Sequence, residues 1–129
     1  ATIAALTDQP VPADKGVAED SFNVLPAILN APHEEPLRPS MILHSPNGNF
    51  AIRSGPWKYI EGKPSPTPKR VSRKDEVHAQ LYNLQDDLGE QNNVINEHPN
   101  VVKRLASLLD EQRTSGRSLT RKHQQENSR

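Results

Sequence analysis

The sequence contains no cysteine, which excludes a disulfide framework, a cysteine-ligated metal and a cysteine nucleophile. It leaves the redox compartment open. Aromatic residues are scarce at 4%, with one Trp, two Tyr and two Phe, so any core must be built from Leu, Ile and Val. Net charge is absent as well, with 16 basic residues against 16 acidic ones. No global field therefore draws the chain to nucleic acid, an anionic membrane or a strongly acidic substrate. No apolar run approaches the roughly 18 residues that span a bilayer, and no charged start followed by an apolar stretch reads as a signal peptide. What is plentiful is proline, 12 in 129 residues, beside a hydrophobic content of 33%. Such a chain has room for one modest domain with a thin core that leans on a neighbour.

The start, Ala1-Thr2-Ile3-Ala4-Ala5-Leu6-Thr7, lacks Met and already has helix-compatible apolar spacing, as though a longer protein had been cut inside an element. Residues 1–8 read as a helix end stopped by Asp8, Pro10 and Pro12. A loop follows over 9–20. Phe22, Leu25, Ile28 and Leu29 then predict a short helical turn with Pro26 near its start, and prolines at 32, 36 and 39 punctuate an extended connection.

From Ser40 the apolar period shortens. Met41 to Ser45 and Phe50 to Arg53 read as strands around Pro46-Asn47-Gly48-Asn49, where Asn-Gly supplies the positive backbone angles of a tight hairpin. After a turn at Ser54-Gly55-Pro56, Trp57 to Glu61 alternates as a third strand, and Ala79 to Leu84 gives a fourth. Between them, alternating prolines and five basic residues over Lys63 to Lys74 predict an exposed, mobile basic loop spanning 62–77. Asp87 and Glu90 have the spacing of a capping box, which predicts a short helix starting there. Pro99 suits the first position of a final helix, in which Val101, Val102, Leu105, Leu108 and Leu109 share one face and Gly116 provides the stop. Residues 117–129, with a single Leu, read as a disordered tail.

Three stretches carry a family resemblance. Ala18-Glu19-Asp20-Ser21-Phe22-Asn23-Val24-Leu25-Pro26 resembles a "D-(G/S)-x-S-x-L-P-x-L" segment. The run from His44 to Tyr59, with Ala51-Ile52-Arg53-Ser54-Gly55-Pro56-Trp57-Lys58-Tyr59 at its end, is similar to a hairpin ending "A-I-R-x-G-x-W-K-(L/Y)". Leu81 to Val94 resembles "L-Y-(D/N)-L-x-x-D-P-x-E-x-x-N-L", with Leu88 where Pro is common. Their order and spacing are those of the C-terminal end of sulfatases of the arylsulfatase type, within the alkaline-phosphatase-like superfamily. The patterns also have physical reasons of their own: Gly55 permits a tight turn and Trp57 brings a large apolar area.

The resemblance implies a parent enzyme that hydrolyses sulfate esters through a formylglycine, made from Cys or Ser in a Cys/Ser-x-Pro-x-Arg motif, beside a calcium ion held by oxygen ligands. This chain has no Cys, and both Arg38-Pro39-Ser40 and Ser65-Pro66-Thr67-Pro68 have the wrong order for the Ser form. The nucleophile and metal ligands are thus expected in an N-terminal catalytic domain missing from this sequence, which would be the chain's partner. Neither nucleic acid nor membrane is expected as one. The fragment by itself is expected to be inactive, with no catalytic and no metal-binding residue. The resemblance also implies an extracytoplasmic location, periplasmic or secreted.

His44, at a strand end beside a Gly-containing turn, is the candidate substrate contact, weighed against a merely exposed or hydrogen-bonded histidine. His33, His78, His98 and His123 have no metal-ligand spacing. Arg53 and Lys58 could meet an anion but read better as charge on a solvated sheet face. Asp86, Asp87 and Glu90 lack the regular spacing of a cation loop, so capping is the preferred role. A rival function is a nucleic-acid or anionic-glycan binding module using residues 63–74, although no aromatic is interleaved there for base stacking. A further rival is an autonomous interaction module that docks a partner through the last helix.

The predicted fold class is α+β: a small antiparallel sheet of about four strands packed against a C-terminal helix, with a loop-rich N-terminal arm. The expected division is an arm at 1–38 belonging to the end of the catalytic domain, a sheet-and-helix subdomain at 39–116, and the tail at 117–129.

Overall fold

The structure, a computed structural model, describes residues 1–11, 17–18, 20–32, 36–46, 48–62 and 78–118. The predicted basic loop lies outside them except for Gly62 at its start, and so does the tail beyond Ser118. The described residues are α+β, with element order α1 (Thr2–Leu6), α2 (Leu25–Ile28), β1 (Ser40–His44), β2 (Phe50–Ser54), β3 (Trp57–Ile60), β4 (Gln80–Asn83) and α3 (Pro99–Ser115). The chain divides into two compact units, one comprising Ala1–Pro39 with Ser115–Arg129 and the other Ser40–Thr114.

In the second unit the four strands form an antiparallel meander in the order β1-β2-β3-β4. The register aligns Ile42, Ile52, Tyr59 and Leu81 in one row across all four strands. Because side chains alternate along a strand, that row shares one face of the sheet. Leu105 and Leu109 of α3 join Ile52, Tyr59 and Leu81 in the core, and Phe50, Trp57, Val101, Val102 and Leu108 pack around it. Ile52, Leu81 and Leu105 are fully buried. Each such side chain contributes about 1.5–3 kcal/mol relative to exposure, so this small cluster is the main source of the unit's stability.

The turns follow from backbone constraints. Ser54 pairs directly with Trp57, leaving Gly55-Pro56 as a two-residue connection. Gly55 has φ +58°, whereas the ring of Pro56 holds φ near −65°. A type II′ turn is the hairpin that combines those two values. At the β1–β2 loop, the Ser45 amide donates to the Asn49 carbonyl (2.9 Å), and the Asn49 amide donates to Ser45 Oγ (3.1 Å). Beyond β4, the Val94 amide donates to the Leu81 carbonyl (2.9 Å), and the Leu81 amide donates to Asn93 Oδ1 (3.0 Å). Residues 93–94 therefore satisfy the outer edge of β4, which would otherwise present unpaired backbone groups.

The helix expected at Asp87 does not form. Asp87 does cap: its carboxylate accepts the amides of Gln91 (3.0 Å) and Asn92 (2.8 Å). Glu90, however, adopts φ +54°, which breaks a right-handed helix before its first turn closes. Its carboxylate is held by Lys58 Nζ at 2.6 Å rather than turning back to the Asp87 amide. The capping-box spacing thus encodes a capped loop, because a distant lysine competes for the glutamate. The final helix matches its predicted span from Pro99, and Gly116 with φ +68° follows its end.

The first unit has a different character. Helix α1 has five residues and α2 four, and neither contains a buried residue. Thr2 ties them together, its Oγ1 accepting the Val24 amide (3.0 Å) and donating to the Phe22 carbonyl (3.1 Å). Both helices end in a Schellman arrangement. After α1, Asp8 at φ +52° donates to the Ala5 carbonyl, and the Gln9 amide reaches back to the Ala4 carbonyl. After α2, Asn30 at φ +52° donates to Ala27 and the Ala31 amide to Pro26. Asn and Asp are the non-glycine residues that best tolerate this backbone region.

Candidate functional site

His44 closes β1 opposite Phe50, the first residue of β2. Its imidazole is exposed and lies against the Phe50 ring, with centroids 4.6 Å apart and planes at 53°. A tilted aromatic pair of this kind orients the imidazole without taking up its ring nitrogens. The guanidinium of Arg113, in the last turn of α3, sits 4.8 Å from the Phe50 centroid. Arg113 also donates to Glu61 Oε2 at 2.7 Å. That hydrogen bond, ahead of the attraction of Glu61 and Asp110, raises the Arg113 pKa further above its ordinary value. Burial is the main cause of a raised Tyr59 pKa, with the charge of Glu61 adding to it. Nearby in the β1–β2 loop, Asn49 Oδ1 is buried and accepts no hydrogen bond among the described residues.

This end of the sheet therefore gathers an imidazole, a phenyl ring, an ion-paired guanidinium and an amide oxygen. They come from β1, β2, the distal turn of α3 and the β1–β2 loop, and the guanidinium's partner Glu61 directly follows β3. The arrangement can present hydrogen-bonding groups beside an apolar ring, as a polar ligand with apolar edges requires. Nothing in it forms a nucleophile–base pair.

Phe50, Glu61 and Arg113 were not singled out as site residues from sequence. Arg113 lies far along the chain from His44, and no local pattern links them. Of the other candidates, Arg53 is exposed and its Nε donates weakly to the Gly55 carbonyl at 3.5 Å. Lys58, its cross-strand neighbour, is paired with Glu90 and only 21% exposed. The solvated-face reading thus describes Arg53 better than Lys58. The ring of His98 packs 4.8 Å from that of Trp57, while His78 is exposed. His33 and His123 lie outside the described residues.

One near-match to the formylglycine motif escaped the sequence reading. Ser54-Gly55-Pro56-Trp57-Lys58 is Ser-x-Pro-x-Lys. It ends in Lys rather than Arg, forms the β2–β3 hairpin, and commits its Lys to Glu90. Its residues do not fit the formylglycine site. Among the described residues no group of three His, Cys, Asp or Glu side chains could hold a metal ion.

The chain is 36% identical over 117 residues to an N-acetylgalactosamine-6-O-sulfatase of Bacteroides thetaiotaomicron, an alignment that takes in 88% of this chain. It is a sulfatase homologue. Specifically, it corresponds to a sulfatase C-terminal-like region, as the three sequence stretches predicted. The homologous region spans only 22% of the length of that curated relative. A similar solved structure, labelled BT33336S-sulf, comes from work on the metabolism of multiple glycosaminoglycans by Bacteroides thetaiotaomicron. It superposes with a TM-score of 0.67 at 36% identity, covering 88% of this chain and 23% of that one. The structures of Ps i-CgsB alone and in complex with k-i-k-neocarrahexaose each give a TM-score of 0.54. Their identities are 24% and 22%, each over 85% of this chain and 22% of theirs, so they speak to the fold alone. No protein-family model matches the chain.

Proposed function

We propose that this sulfatase region is the supporting subdomain of an enzyme that hydrolyses a sulfate ester, and that it has no sulfatase activity by itself. The observation that carries the reading is the 36% identity to a named sulfatase over 88% of the chain. The chain's lack of cysteine and of a Ser-x-Pro-x-Arg run supports the second half of it. The catalytic part of the same polypeptide would be its partner and would supply the formylglycine and the calcium ion that the family resemblance implies. No step of the chemistry is assigned to a residue of this chain. A sulfated amino sugar is the substrate class suggested by the relative's name, and an extracytoplasmic location by the family resemblance; no described helix is long and apolar enough to cross a membrane.

Within that enzyme His44 would contact the substrate, held in orientation by Phe50. The full-length protein is expected to release inorganic sulfate from N-acetylgalactosamine 6-sulfate or another sulfated sugar, and the 129-residue chain to release none. Sulfate release by the isolated chain would refute the division of labour. His44→Ala in the full-length enzyme is expected to raise KM about tenfold, the loss of a typical charge-assisted or well-placed hydrogen bond. Unchanged KM and kcat would remove His44 from the site.

A further inference from the structure

We infer that Arg113, held by Glu61, is a positioning residue for substrate binding: it fixes the Phe50 ring, and through that ring the direction in which His44 presents its imidazole. This rests on the reading of His44 as a substrate contact.

The row of Ile42, Ile52, Tyr59 and Leu81 lines the sheet side of the core. One step further on the same face stand His44 and Phe50, a directly opposed pair, followed by Glu61, whose amide donates to the Phe50 carbonyl at 3.0 Å. Helix α3 keeps in step with the sheet. Leu105 and Leu109 are buried in the core, and Arg113 is the next residue at the same spacing along that side of the helix. The apolar core thus ends in a row where a histidine, a phenylalanine and a glutamate from the sheet meet an arginine from the helix.

Within this row the contacts form a chain. The imidazole centroid lies 4.6 Å from that of Phe50, the Arg113 guanidinium lies 4.8 Å from the Phe50 centroid, and Arg113 Nη2 donates to Glu61 Oε2 at 2.7 Å. Among the described residues no hydrogen bond holds the imidazole, so the Phe50 ring sets its direction. The ring is in turn held by a cation that an ion pair keeps in place. A guanidinium suits both tasks, because it is attracted to an aromatic ring while its edge donates to a carboxylate. Stability does not account for the arrangement: the Arg113 and Glu61 side chains are 42% and 26% exposed, and ion pairs so wet contribute little to folding. Their effect is directional, since an exposed side chain that must meet a ligand binds it better when its orientation is set beforehand.

In the full-length enzyme Arg113→Met, which keeps an unbranched apolar stem, should raise KM for N-acetylgalactosamine 6-sulfate about fivefold with kcat unchanged and Tm within about 2 °C of wild type. Arg113→Lys retains the cation and should bring KM back to within about twofold of wild type. Glu61→Gln, which frees the guanidinium, should raise KM about threefold. On a His44→Ala background Arg113→Met should have no further effect, because its influence passes through His44. In full-length protein isotope-labelled at histidine Cε1, the resonance missing from the His44→Ala spectrum belongs to His44, and it should shift in Arg113→Met as the neighbouring ring reorients. Wild-type KM in Arg113→Met with an unmoved His44 resonance would overturn the proposal. So would an equal rise in KM with and without His44, which would make Arg113 a contact in its own right. Should Arg113→Met fail to fold, Glu61→Gln decides, and a wild-type KM there overturns the proposal. Unchanged KM in His44→Ala would sink the reading of His44 and the positioning role together, whereas a raised KM in His44→Ala beside wild-type kinetics in Arg113→Met would sink the positioning role alone.

Discussion

The two units solve the problem of a small, aromatic-poor chain in opposite ways. The unit spanning Ser40–Thr114 holds every buried apolar residue among those described, from Ala51 to Leu109. The described part of Ala1–Pro39 with Ser115–Arg129 buries none, and relies on backbone caps, Thr2, and the Ser118 amide and hydroxyl donating to Asp20 Oδ1 at 2.6 and 2.7 Å. Hydrogen bonds contribute only about 0.5–1.5 kcal/mol each because water competes for the same groups, whereas core burial is not so discounted. A unit can therefore have a specified shape without having its own stability.

The contrast is broken most sharply by truncating the core. Leu105→Ala should destabilise the 129-residue chain by about 2–5 kcal/mol in urea unfolding, since Leu105 is fully buried between sheet and helix. Ile28→Ala in the other unit should stay within about 0.5 kcal/mol. Similar losses at both positions would mean that the units share one core.

A backbone change comes next. Gly55→Ala should cost about 1–2 kcal/mol in the same assay, because the added Cβ meets nothing within 4 Å and the whole penalty is the positive φ. Breaking the Lys58–Glu90 pair should cost about 1 kcal/mol or less, as the two side chains are 21% and 32% exposed. Lys58→Met is the informative variant, since it keeps the stem that packs on the sheet.

The smallest effect is pH-dependent. Amide donors at Gln91 and Asn92 hold the Asp87 pKa below the ordinary carboxylate range. A carboxylate with a depressed folded pKa stabilises the fold above its unfolded pKa, and that contribution disappears as pH falls through the folded value. Stability of the wild-type chain should therefore decline below about pH 4, and Asp87→Asn should flatten part of that decline in acid denaturation.

The strands and the last helix were legible because their signals are local and agree with one another. Alternation from Met41 to Arg53, Gly55-Pro56 at a turn, and the stripe from Val101 to Leu109 each specify an element within a few residues. At Glu90 the local signal misled, since a capping box is neutral about whether a lysine from another strand will claim its glutamate. The candidate site was legible only at His44. Its neighbours Phe50, Glu61 and Arg113 meet through the register of β1 on β2 and the length of α3 across the sheet.

Composition and short motifs by themselves determined the α+β class, the meander, the final helix and the kinship with sulfatases, because period, turn chemistry and motif order are properties of neighbouring residues. Tertiary structure decided which charges pair, that Asp87 caps a loop rather than a helix, and that Gln112 is buried against Ser40 with Nε2 donating to Oγ at 2.7 Å. It also decided that one unit has a core while the other leaves Ile3, Leu6, Ile28 and Leu29 in water. Each of these depends on residues distant in sequence competing for the same atom or the same surface, and that competition is settled only when the chain is folded.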